Sequence, residues 1–190
     1  GVDTPYMLVS AERNNIGNAR LEGFDYSVKY TTDITDFGTL SLGTSGTIST
    51  KDETQAVAGT PWSNIQQYGA PLYSATAFLQ LASGPWSGRV WVNYSPGFRV
   101  NPGTLSYKLY NQTRMDSFHP VNLYTSYALD DVADWGSGAS VGLTVNNIGD
   151  DAPPIYLEGG SAIPTNGGQG IAGNGSTIGR YFVLSLQKKF

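Results

Sequence analysis

Apolar and polar residues alternate with a period of two in seven stretches of this 190-residue chain, and no other feature constrains its fold as strongly. Such a pattern gives a strand two faces of opposite character. Ala19 to Thr31 places Phe24, Tyr26, Val28 and Tyr30 on one face, with Gly23, Asp25, Ser27 and Lys29 on the other. Phe37 to Thr50 sets Leu40, Leu42 and Ile48 against Thr39, Ser41, Gly43, Ser45 and Thr47. Leu72 to Ala82 carries Tyr73, Ala75, Ala77, Leu79 and Leu81 on its apolar side. Trp86 to Ser95 opposes Val90, Val92 and Tyr94 to Arg89, Trp91 and Asn93. Phe118 to Leu129 opposes Val121, Leu123, Tyr127 and Leu129 to Asn122, Tyr124 and Ser126. Ala139 to Asn147 opposes Val141, Leu143 and Val145 to Ser140, Gly142, Thr144 and Asn146. Ile178 to Phe190 is the seventh, and Pro5 to Glu12 is a weaker eighth candidate.

Composition agrees with strands and limits function. Gly and Pro supply 24 and 10 residues, and both penalise helix interiors. Aromatics reach 12 %, whereas charged residues fall to 14 % against roughly 25 % in average soluble domains. The net charge of -4 leaves no basic stripe for a phosphate backbone, so nucleic acid is not an expected partner. Cysteine is absent and His119 is the single histidine, which removes thiolate and His-rich metal sites. The composition points away from an enzyme, and no catalytic, cofactor-binding or metal residue is assigned.

The connections between stretches alternate short, long, short, long, short, long. Outer-membrane barrels have this rhythm, with tight periplasmic turns and long extracellular loops, whereas a soluble meander has no reason for it. Tyr30, Phe37, Trp86, Tyr94, Phe118, Trp135 and Phe190 gather near strand ends, where an interfacial girdle would place them. The longest aliphatic runs are the size of Met7-Leu8-Val9, far short of the roughly 18 apolar residues of a spanning helix. Barrel strands escape that test because only every second residue meets lipid. The chain shows no signal-peptide pattern, and Gly1-Val2-Asp3-Thr4-Pro5 does not read as a translation start, so a mature protein or a fragment is expected.

Four segments carry a resemblance. The terminal run Gly179-Arg180-Tyr181-Phe182-Val183-Leu184-Ser185-Leu186-Gln187-Lys188-Lys189-Phe190 resembles the C-terminal signature of bacterial outer-membrane proteins, with Lys188 departing from it. Glu22-Gly23-Phe24-Asp25, the stretch from Gly84-Pro85-Trp86-Ser87 to Val92-Asn93-Tyr94, and the stretch from Val141 through Asn146-Asn147-Ile148-Gly149-Asp150-Asp151-Ala152-Pro153-Pro154 are similar to late segments of TonB-dependent outer-membrane receptors. The order of the four matches that family. The resemblance implies an all-β fold of antiparallel transmembrane β-barrel strands, about seven in number, forming the last seven of a 22-stranded barrel. Residues 1–190 would then be one C-terminal segment of the barrel domain, with the plug domain and the TonB box absent. Outer-membrane lipid, TonB (through the missing N-terminal part) and a small-molecule or glycan ligand are the implied partners. The implied location is the bacterial cell outer membrane.

Several residues invite chemical readings that weaken on inspection. His119 has no second ligand to complete a site. Asp130-Asp131, Asp134 and Asp150-Asp151 are paired carboxylates, for which Ca²⁺ binding is weighed against turn chemistry, the preferred reading. Gly159-Gly160, Gly167-Gly168-Gln169-Gly170, Gly173 and Gly175 lack the Lys-Ser/Thr and helix of a phosphate loop and read as a surface loop. Asn93-Tyr94-Ser95, Asn111-Gln112-Thr113 and Asn174-Gly175-Ser176 match the glycosylation triplet, a coincidence in a bacterial outer membrane. Trp62, Tyr68, Tyr107 and Tyr110, with Arg114, are candidates for stacking on a ligand ring. The leading expectation is uptake of a scarce solute by a TonB-energised receptor. The alternatives are a complete eight-stranded outer-membrane barrel with a structural or adhesion role, and a soluble carbohydrate-binding β-sandwich; a hydrolase using His119 is a weak fourth.

Overall fold

A computed structural model describes residues 17–64, 72–103, 105–130, 132, 137–154 and 178–189. The main strands are β1 (Asn18–Ile34), β2 (Gly38–Gln55), β4 (Tyr73–Ser83), β5 (Trp86–Tyr94), β8 (Val121–Ala128), β9 (Ala139–Asn146) and β10 (Tyr181–Lys188). Short elements sit in the connections: β3 (Ser63–Asn64), β6 (Phe98–Arg99), α1 (Leu105–Tyr110) and β7 (Arg114–Met115). The seven main strands pair in the order β1-β2-β4-β5-β8-β9-β10, each antiparallel to its neighbour, with β3 added beside β2. The fold is therefore all-β, a single antiparallel meander. Its eighth sequence candidate, Pro5 to Glu12, lies outside the described residues.

Turn chemistry explains the short connections. Between β4 and β5 only Gly84 and Pro85 intervene. Gly84 has φ 54° and Pro85 is held at negative φ, the combination of a type II′ hairpin, whose twist matches the flanking strands. Between β1 and β2, Asp36 has φ 68° and Gly38 φ 103°, and Phe37 N–H donates to Ile34 C=O at 3.0 Å. Asp130 accepts a 2.7 Å bond from Gly138 N–H between β8 and β9. The three long connections leave from the opposite strand ends.

The sequence places the strands within a few residues, but β1 and β2 extend further than their apolar alternation. Asn18 to Glu22 pairs with Lys51 to Gln55 beyond a register shift at Glu22/Gly23. Polar cross-strand contacts hold this tip: Asn18 to Gln55 at 2.8 Å, Lys51 to Glu22 at 2.9 Å and Arg20 to Glu53 at 3.7 Å. The first stretch already reaches back to Ala19, but Lys51 to Gln55 of β2 holds no apolar residue, so alternation does not mark it.

Register places all seven apolar sets on one face. A continuous line of directly paired residues runs Tyr30, Leu42, Leu79, Val90, Leu123, Val145, Phe182, and every member is apolar or aromatic. The adjacent line, on the other face, runs Thr31, Ser41, Gln80, Arg89, Tyr124, Thr144, Val183. Among the described residues no second layer covers the apolar face. Leu79 is 51 % exposed, Phe24 68 % and Leu184 77 %. Leu123, Val141, Leu143, Val145 and Leu184 therefore share one side of one sheet and do not meet across a two-layer interior.

The one packed apolar cluster found among the described residues is small and lies outside the sheet. Val100, Met115 and Phe118 are buried, with Phe98 and Tyr107 against them, in the connection between β5 and β8. No described helix is long and apolar enough to cross a membrane. At the sheet edges β1 pairs with β2 alone and β10 with β9 alone, and no described residues join the two edges.

Candidate functional site

Two opposed surfaces of the sheet are the candidate site. On the apolar surface, two aromatic pairs bracket the band. Trp86 and Tyr127 meet edge to face at the short-turn end, ring centroids 4.7 Å apart. Tyr73 and Tyr94 stack at the long-loop end, centroids 5.6 Å apart, their hydroxyls 3.4 Å apart. Trp86 and Tyr94 both belong to β5, with eight residue steps between them, about 26 Å of strand. Between them on the same face lie only Gly88, Val90 and Val92. Each large apolar side chain left in water forgoes about 1.5–3 kcal/mol of burial, so a surface of this extent calls for an apolar neighbour.

The polar surface is the more protected of the two and largely satisfies itself. Thr47 donates to Asp25 at 2.6 Å, Thr39 to Asp33 at 2.7 Å and Thr76 to Asn93 at 3.1 Å. The hydroxyls of Ser87 and Ser126 lie 2.8 Å apart, and those of Thr31 and Ser41 2.9 Å. Aromatic rings fold over glycines on this face. A Cβ at Gly43 would lie 2.7 Å from the Phe78 ring, and one at Gly142 3.1 Å from the Tyr124 ring. The Arg89 guanidinium stacks 4.4 Å from the Phe78 centroid and 5.9 Å from that of Trp91. A cavity of about 310 Å³ is lined from both faces at the long-loop end, by Asp25, Ser45, Thr47, Ser74 and Thr76 and by Tyr26, Gly46, Ala75 and Tyr94.

Among the described residues, the groups singled out for chemistry lie apart from one another. His119 is exposed, with its ring 6.4 Å from that of Tyr94. Asp130 caps the turn to Gly138. Asp150 has φ 57° and accepts from Arg180 N–H at 2.7 Å, while Asp151 N–H donates to Asn147 Oδ1 at 3.1 Å. Asp130 and Asp150 bond through their carboxylates and Asp151 through its backbone, and among the described residues no group of three His, Cys, Asp or Glu could hold a metal. Asn93 belongs to the polar surface through its bond with Thr76, and Asn111 occupies a left-handed position at φ 52°. Trp62 takes the Arg20 guanidinium at 4.7 Å, whereas Tyr107 packs on the Val100 cluster and Tyr110 is partly exposed. Asp131, Asp134, Tyr68, Asn174 and the glycines from Gly159 to Gly175 lie outside the described residues.

Two arrangements escape the sequence. At the end of β9, Asn147 is 7 % exposed, at φ 52°, with its N–H bonded to Asn122 Oδ1 at 3.0 Å. Its amide also donates to Asp151 C=O at 2.8 Å, and Arg180 reaches Ile148 C=O at 3.2 Å. This clasp closes the base of the longest connection and explains the Asn-Asn-x-Gly-Asp run as structure. Lys188, the departure in the terminal strand, turns its ammonium to Ser137 C=O at 2.5 Å beyond the apolar band.

No family model, curated protein or solved structure matches the chain.

Proposed function

We propose that this chain forms part of the wall of a transmembrane β-barrel in a bacterial outer membrane, within a receptor of the TonB-dependent kind. The carrying observation is the apolar line from Tyr30 to Phe182 on a face that nothing among the described residues covers. Lipid is the neighbour whose chemistry suits that face, and the flanking aromatic pairs suit the two interfaces. Two strands match a tilted crossing, β4 with 11 residues and β5 with 9; β1 and β2 are longer at 17 and 18, and β8, β9 and β10 have 8 each. The polar face would then line a wet lumen.

Strand parity supports a larger closed assembly. With seven antiparallel strands the two edges, β1 and β10, run in the same direction. An antiparallel seam needs an odd number of further strands, and about 15 more would complete the 22 of a plugged transporter. In this reading the segment supplies wall and three extracellular loops. Plug and TonB contact come from the rest of the receptor, and no covalent chemistry is involved. The solute is a scarce small molecule or glycan.

The test is fractionation followed by uptake. The full-length protein should stay with the outer membrane through an alkaline carbonate wash. Accumulation of its solute should collapse when a protonophore removes the energy that TonB delivers. Release into the aqueous fraction without detergent contradicts the barrel; energy-independent uptake contradicts the receptor.

A further inference from the structure

The connection over residues 95–120 runs against the charge of the molecule. It holds Arg99, Lys108 and Arg114 but one carboxylate, Asp116, in a chain with 15 acidic and 11 basic residues. Register brings two of these cations together. In the hairpin of β6 and β7, Phe98 pairs with Met115 and Arg99 directly with Arg114. Val100 N–H continues the ladder to Thr113 C=O at 3.0 Å. Alternation turns Phe98, Val100 and Met115 into the buried cluster with Phe118 and Tyr107. Arg99 and Arg114 are left side by side on the exposed face.

Directly opposed like charges destabilise an antiparallel pair, with Cβ atoms only about 4.5–5.5 Å apart. The described ion pairs are Arg20–Glu53 and Lys51–Glu22, and neither touches this hairpin. Asp116, exposed two residues beyond Arg114, is the one acid near in sequence and forms no ion pair among the described residues. The platform is nonetheless well fixed, since Met115 and Val100 are each 1 % exposed. Two guanidinium forks carried on directly paired backbone positions can both donate to one oxyanion. A phosphate monoester carries about -1.5 to -2 at pH 7 and balances two guanidiniums, whereas a carboxylate balances one.

We infer that Arg99 and Arg114 form a binding site for a phosphate-class oxyanion, borne by a soluble ligand or by a lipid headgroup. The inference does not rest on TonB-driven uptake, because the site is complete within one connection.

Titration of inorganic phosphate into the purified full-length protein, followed by calorimetry and by thermal midpoint, tests it. Saturable binding and a raised midpoint are expected for the native protein. Affinity should fall about tenfold or more in the double variant R99Q/R114Q, with each single variant between. R99K/R114K keeps the charges without the forks and should fall between native and double Gln. Without phosphate, at low salt, R99Q/R114Q should melt no lower than the native protein, since it relieves repulsion. Nanodiscs of phosphatidylcholine with or without phosphatidic acid separate the sources: suppression of phosphate binding by phosphatidic acid identifies a headgroup, and its persistence a soluble ligand. No saturable binding at millimolar phosphate, equal binding by native and double-Gln proteins, or a lower melting point of the double-Gln protein overturns the site.

Discussion

Asn122 is 6 % exposed, and its side chain is committed on both sides: the carbonyl accepts Asn147 N–H, and the amide donates to Pro120 C=O at 3.4 Å. Removing it strands a buried backbone N–H, at a cost of about 1–3 kcal/mol. Asn122→Ala should therefore lower the unfolding free energy by that amount in a denaturant titration; an unchanged midpoint would mean that water replaces the amide at no cost. Asn147 adds a conformational demand, because φ 52° suits Asn or Gly and strains most other residues. Asn147→Ala should thus destabilise more than Asn147→Gly, as read by the same titration. Gly142 is constrained from the side-chain direction. A Cβ there would sit 2.6 Å from Ser185 Oγ and 3.1 Å from the Tyr124 ring, so Gly142→Val should cost about 1–3 kcal/mol of overpacking.

The strands were legible because period-two alternation survives wherever one face is uniformly apolar. All seven were located within a few residues, and their apolar sets proved to share a face once register was known. The polar end of β2, Lys51 to Gln55, is not legible, since it carries no hydrophobic signal. Nor are β6, β7 and α1, which are too short for periodicity to register. Their cue was local: Asn101-Pro102-Gly103, where Asn101 Oδ1 takes Gly103 N–H at 2.8 Å, is a turn between them. The asparagine clasp is not legible, because Asn122 and Asn147 are distant in sequence and alternation treats them only as strand positions. At the element scale the two faces predict opposite responses to charge. In lipid, Leu79→Arg at mid-band should cost about 2–4 kcal/mol, while Ser45→Arg on the polar face should cost little. Equal, small effects in a bilayer unfolding assay would contradict the assignment of faces. Losing the Trp86–Tyr127 contact by Trp86→Ala should remove a further 0.5–1.5 kcal/mol or so beyond area loss.

At the scale of the whole molecule, the described residues form an open sheet whose apolar face and two outer edges have no described partner, which is not a stable endpoint in water. In the proposed reading a membrane would cover the face and further strands would satisfy the edges. The claim on which this rests is that Leu40, Leu42 and Ile48 of β2, and the β4 residues Leu81, Leu79 and Tyr73 paired with them, point at hydrocarbon. Single nitroxide labels at Ser74 through Leu81 of β4, in lipid bilayers, measure it directly. Collision with dissolved oxygen should peak at Ala75, Ala77, Leu79 and Leu81. Collision with a water-soluble nickel chelate should peak at Ser74, Thr76, Phe78 and Gln80. A flat profile, or oxygen access favouring the second set, would contradict a lipid-facing wall.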